Sequence, residues 1–129
     1  MKDRSLVIGS GALLTAVVLG AFGAHALKSR LDVDDLAVWR TGVEYQFYHG
    51  IGLLLIGGLR ERIGASAVQW AGRCLLFGIV LFSGSLYLLS TKDLMGTTEW
   101  IRWIGPITPL GGALFIAGWA IVLRSALRR

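Results

Sequence analysis

The feature that most constrains this sequence is a series of apolar runs long enough to cross a lipid bilayer. Residues 5–27 contain no Asp, Glu, Lys or Arg, and further apolar runs cover residues 43–60, 74–91 and 103–123. A helix needs about 20 such residues to cross about 30 Å of hydrocarbon, whereas the strands of a membrane barrel are about half as long. The sequence therefore predicts an all-α protein, a four-helix transmembrane bundle formed by one domain over residues 1–129.

The composition agrees with a bilayer as the solvent. Hydrophobic residues make up 54% of the chain and the mean hydropathy is +0.64, more than a soluble domain needs. The net charge of +5 does not indicate a nucleic-acid partner, because the basic residues lie at the edges of the apolar runs rather than in one stripe. Cys74 is the only cysteine, so the chain cannot form a disulfide or a thiolate metal cluster by itself.

The distribution of cations orients the bundle. With four spans, the N-terminus, the second loop and the C-terminus share one side of the membrane. That side carries Lys2, Arg4, Arg60, Arg62, Arg73, Arg124, Arg128 and Arg129, and the other carries Lys28, Arg30, Arg40, Lys92 and Arg102. Because Lys and Arg accumulate on the cytoplasmic side, we predict that both termini are cytoplasmic.

The first run has a second interpretation, as a secretory signal. Lys2 and Arg4 precede the apolar stretch, and Ala24-His25-Ala26 fits a small-x-small cleavage site, so that cleavage would leave three spans. The apolar stretch is, however, longer than the roughly 7 to 15 residues of a signal core. We therefore favour a first span that is retained.

Small residues predict how the helices pack. Membrane helices associate where small side chains let the backbones approach closely. In the first span such residues recur every four positions and share one helix face: Ala12, Ala16, Gly20 and Ala24. The fourth span has Ala113 and Ala117 at the same interval. Such faces form contacts either inside one bundle or between two copies of the chain, and we expect the first.

Residues 32–42 predict a short interfacial helix before the second span. Asp32 is a suitable N-cap, with Asp34 and Asp35 in a first turn where the helix dipole favours negative charge. Trp39 would lie at headgroup depth. We expect this helix on the non-cytoplasmic surface, with a bend at Gly42 before the span.

The start of the fourth span is rich in tryptophan and proline. Trp100 and Trp103 fit an interfacial belt, while Pro106 and Pro109 remove backbone donors and would be least costly in a first helical turn. We expect a kinked or locally unwound helix that begins near Trp100.

Polar residues at membrane depth form the candidate functional site. Ionisable side chains are costly inside a span, so each one there is a candidate for function. They group at the end of the first span and the start of the second: His25, Glu44, Tyr45, Gln46, Tyr48 and His49. We favour a hydrogen-bonded network that fixes the hairpin between these two spans.

Two other interpretations of this group stay open. A proton relay or small polar ligand site could use His49, since histidine titrates near neutral pH and Glu44 could share its proton. His25 and His49 could also ligate a haem iron, or with Glu44 a divalent metal, although two ligands without distinctive spacing are a weak signal. We expect neither a metal site nor a bound cofactor.

Several segments together resemble a known family. They are Gly20-Ala21-Phe22-Gly23-Ala24-His25-Ala26-Leu27, then Trp39, Thr41, Tyr45, Gln46 and His49, then Gly84-Ser85-Leu86-Tyr87-Leu88-Leu89, then Thr108-Pro109-Leu110-Gly111-Gly112, Phe115 and Gly118-Trp119. In this order they resemble the membrane family known as domain of unknown function 423, which is related to animal transmembrane protein 256.

The resemblance implies a bacterial inner-membrane protein with four helices and no settled activity. It also implies that Ala24-His25-Ala26 belongs to a membrane motif rather than to a cleavage site. The positions it marks for mutation are His25, Trp39, Tyr45, Gln46, His49, Tyr87 and Pro109.

No catalytic motif is present in the sequence. It has no Gly-rich phosphate loop, no nucleophile motif and no paired carboxylates inside a span. We therefore expect a non-enzymatic scaffold, an accessory subunit of a larger membrane complex, or a lipid-binding bundle, in contact with the bilayer and with a partner protein or other copies of itself. The alternative is a transporter or sensor with a proton or small-solute site near Glu44 and His49.

The haem interpretation can be tested on the purified protein. Because only two histidines are available and their spacing is not distinctive, we expect a colourless preparation from haem-replete cells. The measurement is the absorbance near the Soret band. A band that disappears in both His25→Ala and His49→Ala would contradict this prediction and identify the histidines as iron ligands.

Overall fold

A computed structural model describes residues 4–128, and over this range the protein is helical, with no strand. Lys2 and Arg129, which contribute to the orientation above, lie outside the described residues. In chain order the helices are α1 (Arg4–Phe22), α2 (Val33–Gly58), α3 (Arg60–Ile63), α4 (Ala65–Gly78), α5 (Gly84–Ser90), α6 (Lys92–Met95) and α7 (Ile107–Leu127). Wider π-helical turns extend α1 over Gly23–Leu27 and join α4 to α5 over Ile79–Ser83, and a 3-10 turn, Ile101–Trp103, precedes α7.

Three helical stretches within residues 4–128 are long and apolar enough to cross a membrane. They are Arg4–Leu27, Ala65–Ser90 and Ile101–Leu127. Helix α2 is 26 residues long, but Glu44, Gln46 and His49 lower its hydropathy. The fold is therefore all-α with three candidate spans, and the predicted span over residues 43–60 stays a prediction.

The helix predicted for residues 32–42 is present as the first part of α2, and its interfacial position stays a prediction. Helix α2 continues through Gly42 without interruption. Gly42 is buried beneath Tyr87, where an added Cβ would lie 2.8 Å from the Tyr87 Cε1 atom. This glycine therefore permits close packing rather than a bend, and the change from polar to apolar residues along α2 is not accompanied by a break in the backbone.

The predicted start of this helix is confirmed. Asp32 is the N-cap of α2, and its carboxylate accepts a hydrogen bond of 2.7 Å from the backbone N–H of Asp35. Asp34 and Asp35 lie in the first turn. The cap satisfies one of the N–H groups that have no partner inside the helix.

Helices α1 and α2 form an antiparallel hairpin. Gly9, near the start of α1, lies against Leu54 near the end of α2, and Gly23 lies against Trp39 at the opposite end. The small-residue face predicted for the first span is directed toward α2 at Ala16, which is fully buried, and at Gly20, where an added Cβ would lie 3.3 Å from Val43 Cγ1.

Ala24, the last member of this predicted face, is exposed. It lies in the π-helical turn Gly23–Leu27, which holds more residues per turn than an α-helix. The contact with α2 continues at Gly23, which lies against Trp39, so the four-residue repeat ends at Gly20.

Helix α7 packs against α4 and α5 through glycines. An added Cβ at Gly118 would lie 2.8 Å from Leu75 Cδ2, and one at Gly111 would overlap the backbone nitrogen of Phe82. Phe115 is buried between these two glycines. Residues at this spacing share one helix face, and its glycines bring the backbone of α7 close to that of the π-helical turn Ile79–Ser83.

The two prolines lie where α7 begins, at positions that do not require a backbone N–H donor. The helix begins at Ile107, with Pro106 as its N-cap and Pro109 in the first turn, where N–H groups have no helical acceptor. Ala113 and Ala117, the predicted small pair, are exposed. Glycine rather than alanine therefore provides the close approach in this helix.

Buried apolar side chains form two clusters at opposite ends of the bundle. The larger one, near α3, contains Leu53, Ile56, Ile63, Ala67, Val68, Ala71, Leu75, Ile79 and Phe115. The smaller one contains Leu27, Leu36 and Trp39. Buried polar side chains lie between these clusters.

The glycine contact between α7 and the π-helical turn Ile79–Ser83 gives a stability prediction. We expect Gly111→Ala to destabilise the protein by about 1–3 kcal/mol, because the new methyl group must displace the backbone at Phe82. Gly112→Ala is the matched control, since its Cβ would meet Phe82 Cδ2 at an ordinary 3.9 Å. The measurement is thermal unfolding in detergent, and equal melting temperatures for the two variants would contradict the prediction.

Candidate functional site

Gln46 connects three helices in the middle of the bundle. Its side chain is 5% exposed, and its amide nitrogen donates to the carbonyl oxygen of Ala12 at 3.0 Å and to Thr15 Oγ1 at 2.8 Å, both on α1. The hydroxyl of Tyr87 on α5 donates to the Gln46 Oε1 atom at 2.7 Å. Both amide hydrogens are therefore used, and the amide oxygen also has a donor. The side chain needs neither water nor a ligand to be satisfied.

Trp39 forms the next layer of this network, toward the start of α2. Its indole N–H donates to the Leu19 carbonyl oxygen at 3.0 Å, and its ring centroid lies 4.6 Å from that of Tyr87. Gly23 leaves the space that the indole occupies, because an added Cβ would lie 2.5 Å from its nitrogen. Trp39 is thus buried between α1 and α5, and its position at headgroup depth stays a prediction.

His49 is buried on the side of α2 that contacts α7. Its ring stacks on Phe115 with centroids 3.5 Å apart and planes 6° from parallel. The Nδ1 atom lies 2.7 Å from the Tyr45 carbonyl oxygen, and this bond requires that Nδ1 carries the proton. In the neutral ring Nε2 is then the unprotonated nitrogen. The arrangement is that of a packed aromatic ring oriented by one backbone hydrogen bond.

The other predicted cluster residues do not join Gln46 and His49 in the interior. Glu44 and Tyr48 are exposed on α2, and His25 is exposed in the π-helical turn after α1. Tyr45 is exposed as well, although its ring stacks on that of His49 with centroids 5.9 Å apart. Glu44 and His49 are five positions apart, so their directions differ by about 140° on a helix of 3.6 residues per turn. The predicted group therefore divides into a buried pair and an exposed set, and the structure does not bring His25 to His49.

No group of three or more His, Cys, Asp or Glu side chains within residues 4–128 is placed to hold a metal ion. The polar atoms that do converge are amides and hydroxyls. Such groups hold helices together by hydrogen bonds, and they provide no ligand set of the kind that binds a transition metal.

Two threonines were missed by the sequence analysis. Thr15 accepts a hydrogen bond from Gln46, and Thr108 Oγ1 on α7 lies 2.6 Å from Ser85 Oγ on α5. A hydroxyl inside or beside an apolar run is the signal that could have found them, because such side chains commonly bond across membrane helices. Ser83, beside this pair, is fully buried, and its hydroxyl has no hydrogen-bond partner among the described residues.

An ion pair closes the end of the bundle where α2 begins. Lys92 Nζ lies 2.8 and 3.0 Å from the two carboxylate oxygens of Asp35. The hydrogen bond that Lys92 donates to Asp35 raises the pKa of Lys92, with nearby carboxylates adding to the effect. Because the pair is partly exposed, it contributes at most about 1 kcal/mol, and its main effect is to position the start of α2 beside α6.

The chain is similar to membrane proteins of unknown function from several bacteria. A family model described as "Protein of unknown function (DUF423)" matches residues 19–112. A UPF0382 membrane protein of Staphylococcus saprophyticus is 45% identical over 118 residues, which cover 92% of this chain and 92% of the relative. The UPF0382 membrane protein YwdK of Bacillus subtilis is 42% identical over 124 residues, which cover 95% of each chain. No solved structure matches this chain.

The hydrogen bond between Tyr87 and Gln46 gives the prediction for this network. We expect Tyr87→Phe to reduce the free energy of unfolding by about 0.6 to 1.7 kcal/mol, the range measured for bonds between membrane helices. Tyr48→Phe is the control, since Tyr48 is 57% exposed and its hydroxyl has no partner among the described residues. Unfolding in detergent is the measurement.

A double-mutant cycle separates this bond from general packing. In a Gln46→Leu background the hydroxyl of Tyr87 no longer has its acceptor, so Tyr87→Phe should cost almost nothing further. An equal cost in both backgrounds would show that the hydroxyl does not act through Gln46.

Proposed function

The chain belongs to the DUF423 family of membrane proteins, whose function is unknown, and we propose that it is a non-enzymatic, four-span scaffold that acts as an accessory subunit of a larger complex in the inner membrane. The observation that supports this most is the use of the polar groups at membrane depth. Gln46 and Tyr87 are occupied in bonds between helices. A transport or catalytic site would instead keep polar atoms available to a ligand.

We take α2 as the additional span. At 26 residues it is about 39 Å long with a rise of 1.5 Å per residue, more than the roughly 30 Å of hydrocarbon. Its polar residues Gln46 and His49 are covered by neighbouring helices, so they need not contact lipid. The hydrogen bonds from α2 to α1 also favour a first span that is retained rather than cleaved.

In this topology both termini are cytoplasmic. Cations at the two ends of the bundle set the orientation, with Arg60, Arg62 and Arg124 at the cytoplasmic end and Lys28 and Lys92 at the other. The ion pair of Lys92 with Asp35 then lies on the non-cytoplasmic surface.

A transporter or sensor built on Glu44 and His49 has less support. The two side chains point in different directions from α2, and His49 is packed against Phe115. A shared proton requires a hydrogen bond between the two groups or a water that bridges them. A pH-dependent flux abolished by Glu44→Gln in a correctly folded protein would nevertheless favour the transporter over the accessory role.

An exposed polar stripe on α2 indicates where a partner would bind. Arg40, Glu44 and Tyr48 recur every four residues, and all three are exposed. We call this stripe the Glu44 face. Glu44 lies at the start of the predicted span, where exposure of an ionised side chain to lipid is costly, and most such side chains in membrane proteins face other protein. A partner helix over the Glu44 face would remove this cost.

Native gel electrophoresis after gentle detergent extraction tests the accessory role. We expect the protein to migrate in an assembly with a second protein, and we expect Tyr48→Ala to weaken that assembly because it truncates the Glu44 face. Leu14→Ala is the control, since Leu14 is 68% exposed on α1, away from this face. Migration of the wild type only as a monomer or homo-oligomer would count against an accessory subunit.

A further inference from the structure

A cavity of about 560 Å³ lies at the end of the bundle that carries α3. It is bounded on one side by the turn between α3 and α4 and on the other by the last turns of α7. In the proposed topology this is the cytoplasmic end. The buried network around Gln46 lies toward the other end, so the cavity is separate from that network.

The cavity carries uncompensated positive charge. Arg124, in the last turn of α7, and Arg128, its C-cap, both line the cavity and are four residues apart, which places them on the same side of this helix end. Neither arginine forms an ion pair with any residue of the described chain, and no Asp or Glu is among the side chains that line the cavity. Two guanidinium groups without a carboxylate between them favour an anionic ligand.

Neutral hydrogen-bond donors line the opposite wall. Helix α4 begins at Ala65, and the first turn of this 14-residue helix faces the cavity. Its N-cap, Gly64, has no side chain to accept from the first N–H groups, so these donors remain available. The hydroxyls of Ser66, on α4, and Ser125, on α7, also line the cavity. They make no hydrogen bond within residues 4–128.

Apolar and aromatic side chains place the cavity at the level of lipid headgroups. Trp70 and Ile121 are part of its lining, and Trp70 is 55% exposed. The guanidinium of Arg73 lies 4.9 Å from the centre of the Trp70 ring. Tryptophan is enriched at the membrane interface, and basic pockets between helices on the cytoplasmic side are typical sites for lipid headgroups.

We propose that this cavity binds the phosphate group of an anionic phospholipid. The guanidinium groups of Arg124 and Arg128 donate to the phosphate oxygens in the planar, paired geometry that suits phosphate, and the first N–H groups of α4 donate to the same group. The acyl chains lie along Trp70 and Ile121, which are apolar and border the bilayer. The inference rests on the proposed function only for the placement of this end of the bundle at a membrane surface.

Native mass spectrometry of the full-length protein in detergent tests the site. The probes are dioleoylphosphatidylglycerol, dioleoylphosphatidylcholine and inorganic phosphate, each added separately. We expect the wild type to retain phosphatidylglycerol in preference to phosphatidylcholine, and the double variant Arg124→Gln/Arg128→Gln to bind phosphatidylglycerol at least about tenfold more weakly. Arg4→Gln is the control, because it removes a cation from the same predicted surface but does not line the cavity.

The outcomes separate a lipid from a free anion. Undiminished binding of phosphatidylglycerol by the double Gln variant would overturn the site. Retention of inorganic phosphate, with no preference between the two lipids, would overturn the lipid assignment and identify a site for free phosphate. If the Gln variant does not fold, Arg124→Lys/Arg128→Lys decides, because it keeps the charge and loses the paired geometry. Equal affinity of this Lys variant and the wild type would then overturn the site.

The result is independent of the test of the accessory role. Lipid retention is measured on the isolated protein, so its failure leaves a partner complex possible. Conversely, migration of the protein as a monomer on a native gel leaves the preference for phosphatidylglycerol unchanged.

Discussion

The hydrogen bonds of one amide side chain determine how the helices of this protein can be arranged. In an apolar environment an unpaired amide group costs several kcal/mol, and no water is available to replace a missing partner. Gln46 reaches Ala12 and Thr15 on α1 and accepts from Tyr87 on α5. A shift of α1 by one residue would move both of its acceptors out of reach. The amide therefore specifies the register of α1 and the depth of α5 at the same time.

These bonds form only because glycine brings the helices together. Apolar side chains gain little from one another inside a membrane, so helix contact depends on close approach and on polar bonds. Gly23 leaves room for the indole of Trp39, and Gly42 leaves room for the ring of Tyr87. The hydrogen bonds between helices and the close glycine contacts thus lie at the same level of the bundle. The rest of the interior, which is apolar, fills the space that this arrangement defines.

The parts of the fold that depend on local pattern could be predicted from the sequence. The helical class, the membrane character and the Asp32 cap each follow from neighbouring residues. The helix predicted over residues 32–42 is the first part of α2 and has no boundary of its own, because a change of polarity along a helix does not require a change of backbone. The interpretation in which Glu44 shares a proton with His49 overlooked that five helical positions turn the two side chains apart, and the sequence did not show which one is buried. His49 is the buried residue because its ring stacks on that of Phe115, which is distant in sequence.

The π-helical turn between α4 and α5 has a consequence for how this chain can vary in length. A turn closed by bonds from residue i to i+5 holds one residue more than a turn of α-helix. Deletion of one residue from Ile79–Ser83 together with a return to α-helical geometry would leave the directions of the later side chains nearly unchanged, whereas the same return with all five residues kept would rotate them by about 100° relative to α4. Tyr87 would then no longer point at Gln46, and Ser85 would leave Thr108. The wider turn thus accommodates one additional residue while the side chains further along the chain keep their directions.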